Sequence, residues 1–200
     1  MNIDKSNAAL IVIDMQNSFC RADGRVAAIG LDTSACQQVI GACAEVLRLA
    51  REAGLPVIHT RYVYEPDYRD GGVMVEHIMP ELAEVSALRD GDPDAEIVSE
   101  LTPAPGEKII NKNRPSAFFQ TELDDHLSEL GCKQLIVCGV TTNCCVESTV
   151  RDASHRDLQV FVIGDACAEL EEERHNVSLR TMGMLFAAVT DTDTLRLALA

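Results

Sequence analysis

Asp14, Lys112 and Cys145 are the three side chains of this sequence that could act together as a catalytic group. Each follows closely on a short run of apolar, often β-branched residues, which is typical of a β-strand. Because the carboxyl ends of parallel strands lie at one edge of a sheet, we expect the three side chains to converge there. A carboxylate, an ammonium group and a thiol at one point could carry out nucleophilic attack on a carbonyl group.

Cys145 lies where a predicted strand ending at Gly139 turns directly into a predicted helix that begins near Asn143. Unpartnered backbone N–H groups and the positive end of the helix dipole favour a thiolate over a thiol at such a turn. The same N–H groups could stabilise an oxyanion on the attacked carbonyl. Cys144 points about 100° away from Cys145 on a helix, and we interpret it as a small buried apolar residue.

The elements that must position these residues alternate between strand-like runs and helical periodicity. This alternation predicts an α/β fold, a three-layer α-β-α sandwich with a mostly parallel, roughly six-stranded, Rossmann-like sheet. A single domain over residues 1–200 is expected, because neither a linker nor a repeat interrupts the pattern. The predicted strands cover residues 8–13, 55–60, 107–110, 134–139, 158–163 and 187–190. The predicted helices cover residues 33–53, 121–131 (with Thr121 as N-cap), 143–155, 171–186 and 195–200.

Residues 62–106 interrupt this regular alternation. The segment holds five of the seven prolines and is longer than a plain connection in a compact domain, so we expect it to serve the site. Helical pieces are predicted near residues 76–88. Its apolar side chains are expected to form an exposed patch; they are Val73, Met74, Val75, Ile78 and Met79.

Composition excludes several classes of function. With 17 Lys and Arg against 32 Asp and Glu, the formal net charge of −15 argues against nucleic acid and against an anionic membrane surface. No apolar run approaches the ~18 residues that span a bilayer, and the first residues lack the basic start of a signal peptide. Eight cysteines without any C-x-x-C pair are then expected to be reduced thiols in a cytoplasmic protein.

Three stretches of the sequence carry a family resemblance. They are Ile11-Val12-Ile13-Asp14-Met15-Gln16-Asn17-Ser18-Phe19, Lys112 with Ser116-Ala117-Phe118-Phe119, and Gly139-Val140-Thr141-Thr142-Asn143-Cys144-Cys145-Val146-Glu147-Ser148-Thr149 followed by Arg151-Asp152-Ala153. In this order the chain resembles the isochorismatase-like cysteine hydrolase superfamily, which includes nicotinamidases, N-carbamoylsarcosine amidases and ureidoacrylate amidohydrolases. The resemblance covers nearly the whole chain, and the third stretch looks nearest to the ureidoacrylate and N-carbamoyl enzymes.

The resemblance implies a catalytic triad of Asp14, Lys112 and Cys145. In this family pattern Asp14 takes the thiol proton and later delivers it to the leaving amine, while the Lys112 cation keeps Asp14 ionised. Cys145 attacks the carbonyl and forms a thioester. The backbone amides of Thr141 and Cys145 would form the oxyanion hole, and the resemblance also implies a cis peptide bond between Val140 and Thr141.

Substrate-binding candidates lie near the first two strands. They are Phe19, Arg61, Tyr62 and Tyr64. Arg61 would suit a substrate carboxylate, although a surface ion pair is an equal alternative. His59 is the only histidine placed at this edge of the sheet. Residues 60–68 lack the Asp-x-His pair through which nicotinamidases hold a metal ion, so we expect no metal and no other cofactor.

The leading hypothesis is a metal-independent hydrolase that cleaves a C–N bond of a small amide, carbamoyl or ureido substrate. An isochorismatase, which hydrolyses a vinyl ether without a thiol nucleophile, is a second hypothesis that the presence of Cys145 disfavours. A catalytically silent interaction domain is a third, which the complete triad disfavours. A homo-oligomer, either dimer or tetramer, is expected because relatives commonly associate and because of the apolar patch in residues 62–106.

Overall fold

Six strands form one sheet in the computed structural model, which describes residues 1–200. The strands are β1 (Ala8–Ile13), β2 (Val57–Tyr62), β3 (Lys108–Lys112), β4 (Gln134–Val140), β5 (Gln159–Ala168) and β6 (Ala188–Thr190). Their order is β3-β2-β1-β4-β5-β6, and every neighbouring pair is parallel. The prediction of a three-layer α/β fold with a parallel sheet is confirmed.

Nine α-helices accompany the sheet. They are α1 (Asn17–Cys20), α2 (Arg25–Ala28), α3 (Ser34–Gln38), α4 (Ile40–Glu52), α5 (Glu81–Glu84), α6 (Leu123–Glu129), α7 (Glu147–Ser154), α8 (Glu172–Leu185) and α9 (Thr192–Leu199). Two π-helical turns, Met74–Ile78 and Thr142–Val146, and two 3-10 turns, Pro93–Ala95 and Ser99–Leu101, complete the elements. No helix combines the length and the apolar composition that crossing a bilayer requires.

The core lies on both faces of the sheet because β1 is buried along its whole length. Leu10 and Val12 face one side, where α3, α4 and α9 cover the sheet. Ile11 and Ile13 face the other side, which α6, α7 and α8 cover. Alternating side chains of an all-apolar strand thus fill two cores, as a central parallel strand requires.

The chain changes direction between β1 and β4, which are neighbours in the sheet. From β1 the chain adds β2 and β3 on one side, and β4, β5 and β6 then extend the sheet on the other. Such a switch point leaves a crevice at the carboxyl ends of the two central strands. The fold therefore places the ends of β1 and β4 beside the position where a ligand is expected.

Three of the observed strands end two or more residues later than predicted. β2 and β3 each end two residues later than predicted, so Tyr62 and Lys112 are the last residues of their strands. β5 continues through Gly164 and Asp165, which look like a turn in the sequence, up to Ala168. It does so because β4 pairs with it again beyond a register shift, so tertiary pairing overrides the local turn signal.

Two helix predictions also need correction. The predicted helix over residues 33–53 is divided at Val39 into α3 and α4. The residue that precedes the first turn of α6 is Glu122 and not Thr121. The Thr121 hydroxyl nevertheless accepts a hydrogen bond from the backbone N–H of Leu123 at 3.2 Å, so its predicted side-chain contact with the helix start exists in a shifted register.

The exposed apolar patch predicted in residues 62–106 exists only in part. Val75 is buried, and Met74 and Met79 are half-buried because they turn toward the interior of the segment. Only Val73 and Ile78 are exposed, each to 61%. Three of the five apolar side chains of the predicted patch therefore pack against this chain itself.

Candidate active site

Asp14 lies directly after β1 with φ of 50°, in the left-handed region that aspartate tolerates better than most residues. Its backbone N–H donates to the hydroxyl oxygen of Thr60 at 3.0 Å, and that hydroxyl donates to Asp14 Oδ1 at 2.5 Å. Both residues are buried. The unusual backbone turn and the reciprocal hydrogen bonds with β2 fix the direction of the Asp14 carboxylate.

Lys112, the last residue of β3, reaches across β2 to the same carboxylate. Its Nζ lies 2.6 Å from Asp14 Oδ2, and both side chains are completely buried. Nζ also donates to the backbone oxygen of Arg114 at 3.2 Å and lies 4.2 Å from the ring centroid of Tyr62. Burial disfavours the charged ammonium, but the electrostatic interactions and hydrogen bonds with Asp14 and Cys145 together outweigh that penalty and raise the pKa of Lys112. Lys112 is therefore a cation beside the Asp14 carboxyl group.

Gly139 allows β4 to pass close to the end of β1. Its φ is 122°, and a Cβ atom at this position would lie 2.1 Å from the backbone oxygen of Ile13. Only glycine, which has no Cβ atom, allows the two backbones to come this close. Two residues later the Val140–Thr141 peptide bond is cis. The Thr141 N–H donates to no other group of the chain, so it is available to a ligand.

Cys145 lies in the π-helical turn Thr142–Val146 and not in the first turn of an α-helix. The N–H groups of Cys144 and Val146 both donate to Thr141 O at 3.2 Å, and the N–H of Asn143 donates to Glu169 at 3.1 Å. The turn thus satisfies most of the amides that were expected to favour a thiolate. Cys145 is only 4% exposed, whereas Cys144 is half-buried.

The thiol chemistry differs from the expectation. A hydrogen bond with Cys144 and burial raise the pKa of Cys145 well above the ordinary value of a thiol, while the positive charge of Lys112 acts in the opposite direction. The charge of Asp14 also raises this pKa. These causes, of which the hydrogen bond with Cys144 is the largest, favour a thiol at Cys145 in the resting structure, in contrast to the thiolate expected from the sequence.

A cavity of about 380 Å³ opens beside Cys145. Most of its lining is apolar and comes from α1, α2 and the segment that follows β2. The lining residues are Phe19, Val26, Leu31, Tyr62, Tyr64, Met74, Met79, Leu82, Leu88, Thr141, Asn143, Cys144, Cys145, Glu169, Leu170 and Arg174. A larger concavity of about 700 Å³ on α8 is an open, polar surface depression without a nucleophile. The cavity beside Cys145 is thus the candidate active site.

The structure brings three of the four predicted substrate-binding residues to this cavity. Phe19, Tyr62 and Tyr64 line it, but Arg61 does not. The Arg61 guanidinium lies 3.3 Å from a carboxylate oxygen of Asp90 and 3.1 Å from one of Glu96. Of the two alternatives for Arg61, the ion pair is therefore the one that the structure contains. Arg61 points away because it alternates with Tyr62 along β2.

His59 also lies outside the cavity. Its Nε2 is 3.0 Å from a carboxylate oxygen of Glu107, which also pairs with Arg51 at 2.7 Å. Burial lowers the pKa of His59, so the ring is neutral at pH 7. His59 thus joins β2 to the residue before β3. No three His, Cys, Asp or Glu side chains come together in an arrangement that could hold a metal ion.

Sequence reasoning missed most of the cavity wall. Val26, Leu31, Leu82 and Leu88 come from short helices and loops without a strand-end signal. Met74 and Met79 belong to the run that was interpreted as an exposed patch. Their apolar character inside a long insertion was the only available signal.

The three resembling stretches also contain residues that hold loops together. Gln16 donates to the backbone oxygens of Tyr62 and Ala95 at 2.9 and 2.8 Å and accepts from Tyr62 N at 2.7 Å. Ser116 donates to Asp152 at 2.5 Å, which joins the second stretch to the third. These contacts hold the loops that carry Asp14, Lys112 and Cys145 in place.

Comparison with known proteins agrees with this architecture. A domain model described as "Isochorismatase domain" matches residues 8–194. A ureidoacrylate amidohydrolase of Variovorax paradoxus is 35% identical over 177 residues, which cover 82% of this chain and 70% of that protein. A ureidoacrylate amidohydrolase of Stutzerimonas stutzeri is 34% identical over 201 residues, covering 94% of this chain and 81% of that protein.

Solved structures give the same result. A cysteine hydrolase from Pseudomonas syringae pv. phaseolicola superposes with a TM-score of 0.91 at 30% identity, covering 100% of this chain and 95% of that one. An N-carbamoylsarcosine amidase from Thermoplasma acidophilum gives a TM-score of 0.75 at 26% identity, with 94% of this chain and 97% of that chain covered. With the matched domain spanning nearly all of its length, this chain belongs to the isochorismatase family.

Proposed function

We propose that the protein is a cysteine-dependent amidohydrolase that cleaves a C–N bond of a small amide, carbamoyl or ureido compound. The observation that carries the proposal is the completely buried Lys112–Asp14 ion pair, 2.6 Å long, whose charges act on the thiol of Cys145. A buried ion pair beside a nucleophile is costly for stability and is therefore expected where chemistry requires it. Relatives named for ureidoacrylate and N-carbamoylsarcosine support the class of bond.

The first half-reaction forms a thioester. Asp14 takes the proton of the Cys145 thiol while Sγ attacks the carbonyl carbon of the substrate. The N–H groups of Thr141 and Cys145 stabilise the resulting oxyanion. As the tetrahedral intermediate collapses, the C–N bond breaks and Asp14 returns the proton to the leaving nitrogen, so that ammonia or an amine departs.

The second half-reaction hydrolyses this thioester. Asp14 takes a proton from water, whose oxygen attacks the thioester carbonyl. The C–S bond then breaks, the carboxylic acid or carbamate leaves, and the Cys145 thiol regains its proton. Lys112 supports both halves because its charge stabilises the ionised form of Asp14 and lowers the cost of forming the thiolate.

Replacement of the two adjacent cysteines tests the proposal. Cys145→Ala is expected to lower ammonia release from amides and ureido compounds by ~10³ or more, because the attacking group is absent. Cys144→Ala is the matched control, since it changes the neighbouring thiol of the same turn, and is expected to keep most of the activity. Mass spectrometry of quenched wild-type enzyme should detect an acyl adduct on the peptide that contains Cys145.

Two results would contradict the proposal. Near-normal turnover by Cys145→Ala would remove the nucleophile from the mechanism. If Cys144→Ala lost turnover and Cys145→Ala kept it, the nucleophile would be Cys144 and not Cys145.

A further inference from the structure

We propose that the site takes an uncharged amide whose acyl group is bulky and apolar, and that it discriminates against acidic ureido compounds. This inference rests on the proposed function and specifies its substrate class. The proposed substrate differs from ureidoacrylate, for which several relatives are named, because the proposal is based on the cavity wall of this chain.

The wall of the cavity beside Cys145 is its main support. Twelve of the 16 lining residues are hydrophobic. Phe19 and Leu31 come from the segment after β1, and Met74, Met79 and Leu82 come from the insertion after β2. An apolar surface of this kind gains free energy only from an apolar ligand group, roughly fourfold in affinity for each buried methylene.

The charges at the cavity do not favour a substrate carboxylate. Glu169 and Arg174 are the only charged residues of its wall. Glu169 is 4% exposed, and its two oxygens accept hydrogen bonds from the N–H groups of Asn143 and Leu170. A substrate carboxylate in the cavity would therefore approach a second acidic side chain, which backbone N–H groups hold in place.

Arg174 does not remove this obstacle. Its guanidinium lies 3.1 Å from Glu171, and the side chain is 43% exposed at the mouth of the cavity. Arg61 pairs with Asp90 and Glu96 outside the cavity, and Lys112 is already paired with Asp14. An acid inside the apolar part would lose its hydration without gaining an ion pair, which is strongly unfavourable.

The polar groups that remain suit a neutral amide. The Tyr64 hydroxyl donates to the Tyr62 hydroxyl at 3.0 Å, and Tyr62 donates to no other group of the chain. The proton of the Tyr62 hydroxyl is thus available to an uncharged hydrogen-bond acceptor in the cavity. With the Thr141 N–H, it gives the amide two donors while the acyl group occupies the apolar wall.

A matched pair of substrates tests the inference. 4-Methylpentanamide and succinamate have the same shape, except that an isopropyl group in the first replaces the carboxylate of the second. We expect the kcat/KM of ammonia release to favour 4-methylpentanamide by about 10². In the series acetamide, butanamide and hexanamide, kcat/KM should rise roughly fourfold for each methylene. Equal or faster hydrolysis of succinamate or 3-ureidopropionate would overturn the inference while leaving the proposed function intact.

A substitution in the cavity wall gives a second test, in which the ratio of the two substrates' kcat/KM values is compared between variants. Met79→Lys places an ammonium group on the half-buried wall, and we expect it to shift the substrate preference toward succinamate by roughly tenfold or more. Leu197→Lys is the control, because Leu197 is 81% exposed on α9 and lies outside the cavity. An unchanged preference in Met79→Lys would contradict the inference.

Binding separates the two proposals. Calorimetric titration of the Cys145→Ala variant with 4-methylpentanamide and with succinamate measures recognition without turnover. Tighter binding of the neutral amide supports the substrate class, and tighter binding of succinamate overturns it. If the wild-type enzyme released ammonia from none of the neutral amides, succinamate or 3-ureidopropionate, the proposed function would fail. The binding result would still show whether the cavity prefers a neutral or an acidic compound.

Discussion

At the residue scale, the central feature of the site is the buried Lys112–Asp14 pair. Both side chains are out of contact with water, so each charge is stabilised by the other and not by solvent. Removing one partner leaves an uncompensated buried charge. The pKa of Cys145 responds to both, because Lys112 lowers it and Asp14 raises it.

Replacing Lys112 with Met should separate these effects while keeping the volume of the side-chain stem. We expect turnover to fall by ~10² or more, since Asp14 loses the charge that keeps it ionised. We also expect the pKa of Cys145, already high, to rise further, so the thiolate fraction at any given lower pH falls. The pH dependence of iodoacetamide alkylation, measured in a Cys144→Ala background, reports this shift as a displacement of the curve to higher pH.

Lys108→Met is the appropriate control for this experiment. Lys108 begins the same strand that Lys112 ends, but it pairs with Glu122 at the surface, 3.1 Å away. Its replacement is expected to leave both turnover and the alkylation curve unchanged. Superimposable curves for Lys112→Met and the wild type would show that Lys112 does not act on the cysteine.

At the element scale, the close approach of β4 to β1 is the feature that positions Cys145, the proposed nucleophile. Gly139→Ala is expected to destabilise the fold by about 2 kcal/mol or more, because φ of 122° strains an alanine and its Cβ would meet Ile13 O. Chemical denaturation measures this loss. Gly41→Ala in α4 is the control; nothing lies within 4 Å of the added Cβ, so it should stabilise the helix by up to ~1 kcal/mol. Equal stability of the two variants would contradict this interpretation of Gly139.

The same elements explain what the sequence could predict. Buried parallel strands have continuous apolar runs, and their carboxyl ends lie at one edge of the sheet. The proximity of Asp14, Lys112 and Cys145 could therefore be predicted from the sequence. The exact strand ends were not predictable, because β5 extends only through its pairing with β4. Whether Arg61 or Tyr62 faces the cavity depends on where β2 begins, and a shift of one residue exchanges the two faces.

The cavity wall was less predictable for a different reason. Leu31, Met79 and Leu82 lie on short turns whose direction is set by packing with distant parts of the chain. Apolar residues in such a segment are equally consistent with an exposed patch and with a ligand-binding wall. Only the folded chain distinguishes these interpretations, and here it places the two methionines beside Cys145.

At the scale of the whole molecule, an exposed apolar surface also lies outside the segment that the sequence indicated. Met184 and Leu185 at the end of α8 are 80% and 65% exposed, and Val177 on the same helix is 45% exposed. Helix α8 packs against β6, the edge strand, which pairs only with β5. Exposed apolar side chains next to an unpaired strand edge are the features that association of two chains would cover.

We therefore predict a homo-oligomer in which this surface faces a second copy of the chain. Sedimentation equilibrium at micromolar concentration should give a mass that is a multiple of 21.8 kDa. Because each copy carries a net charge of −15, added salt should strengthen association by screening the repulsion. Leu185→Glu is expected to shift the protein toward monomer, while Leu197→Glu, at an 81% exposed position on α9, should not. A single species of about 22 kDa in the wild type at all salt concentrations would contradict the prediction.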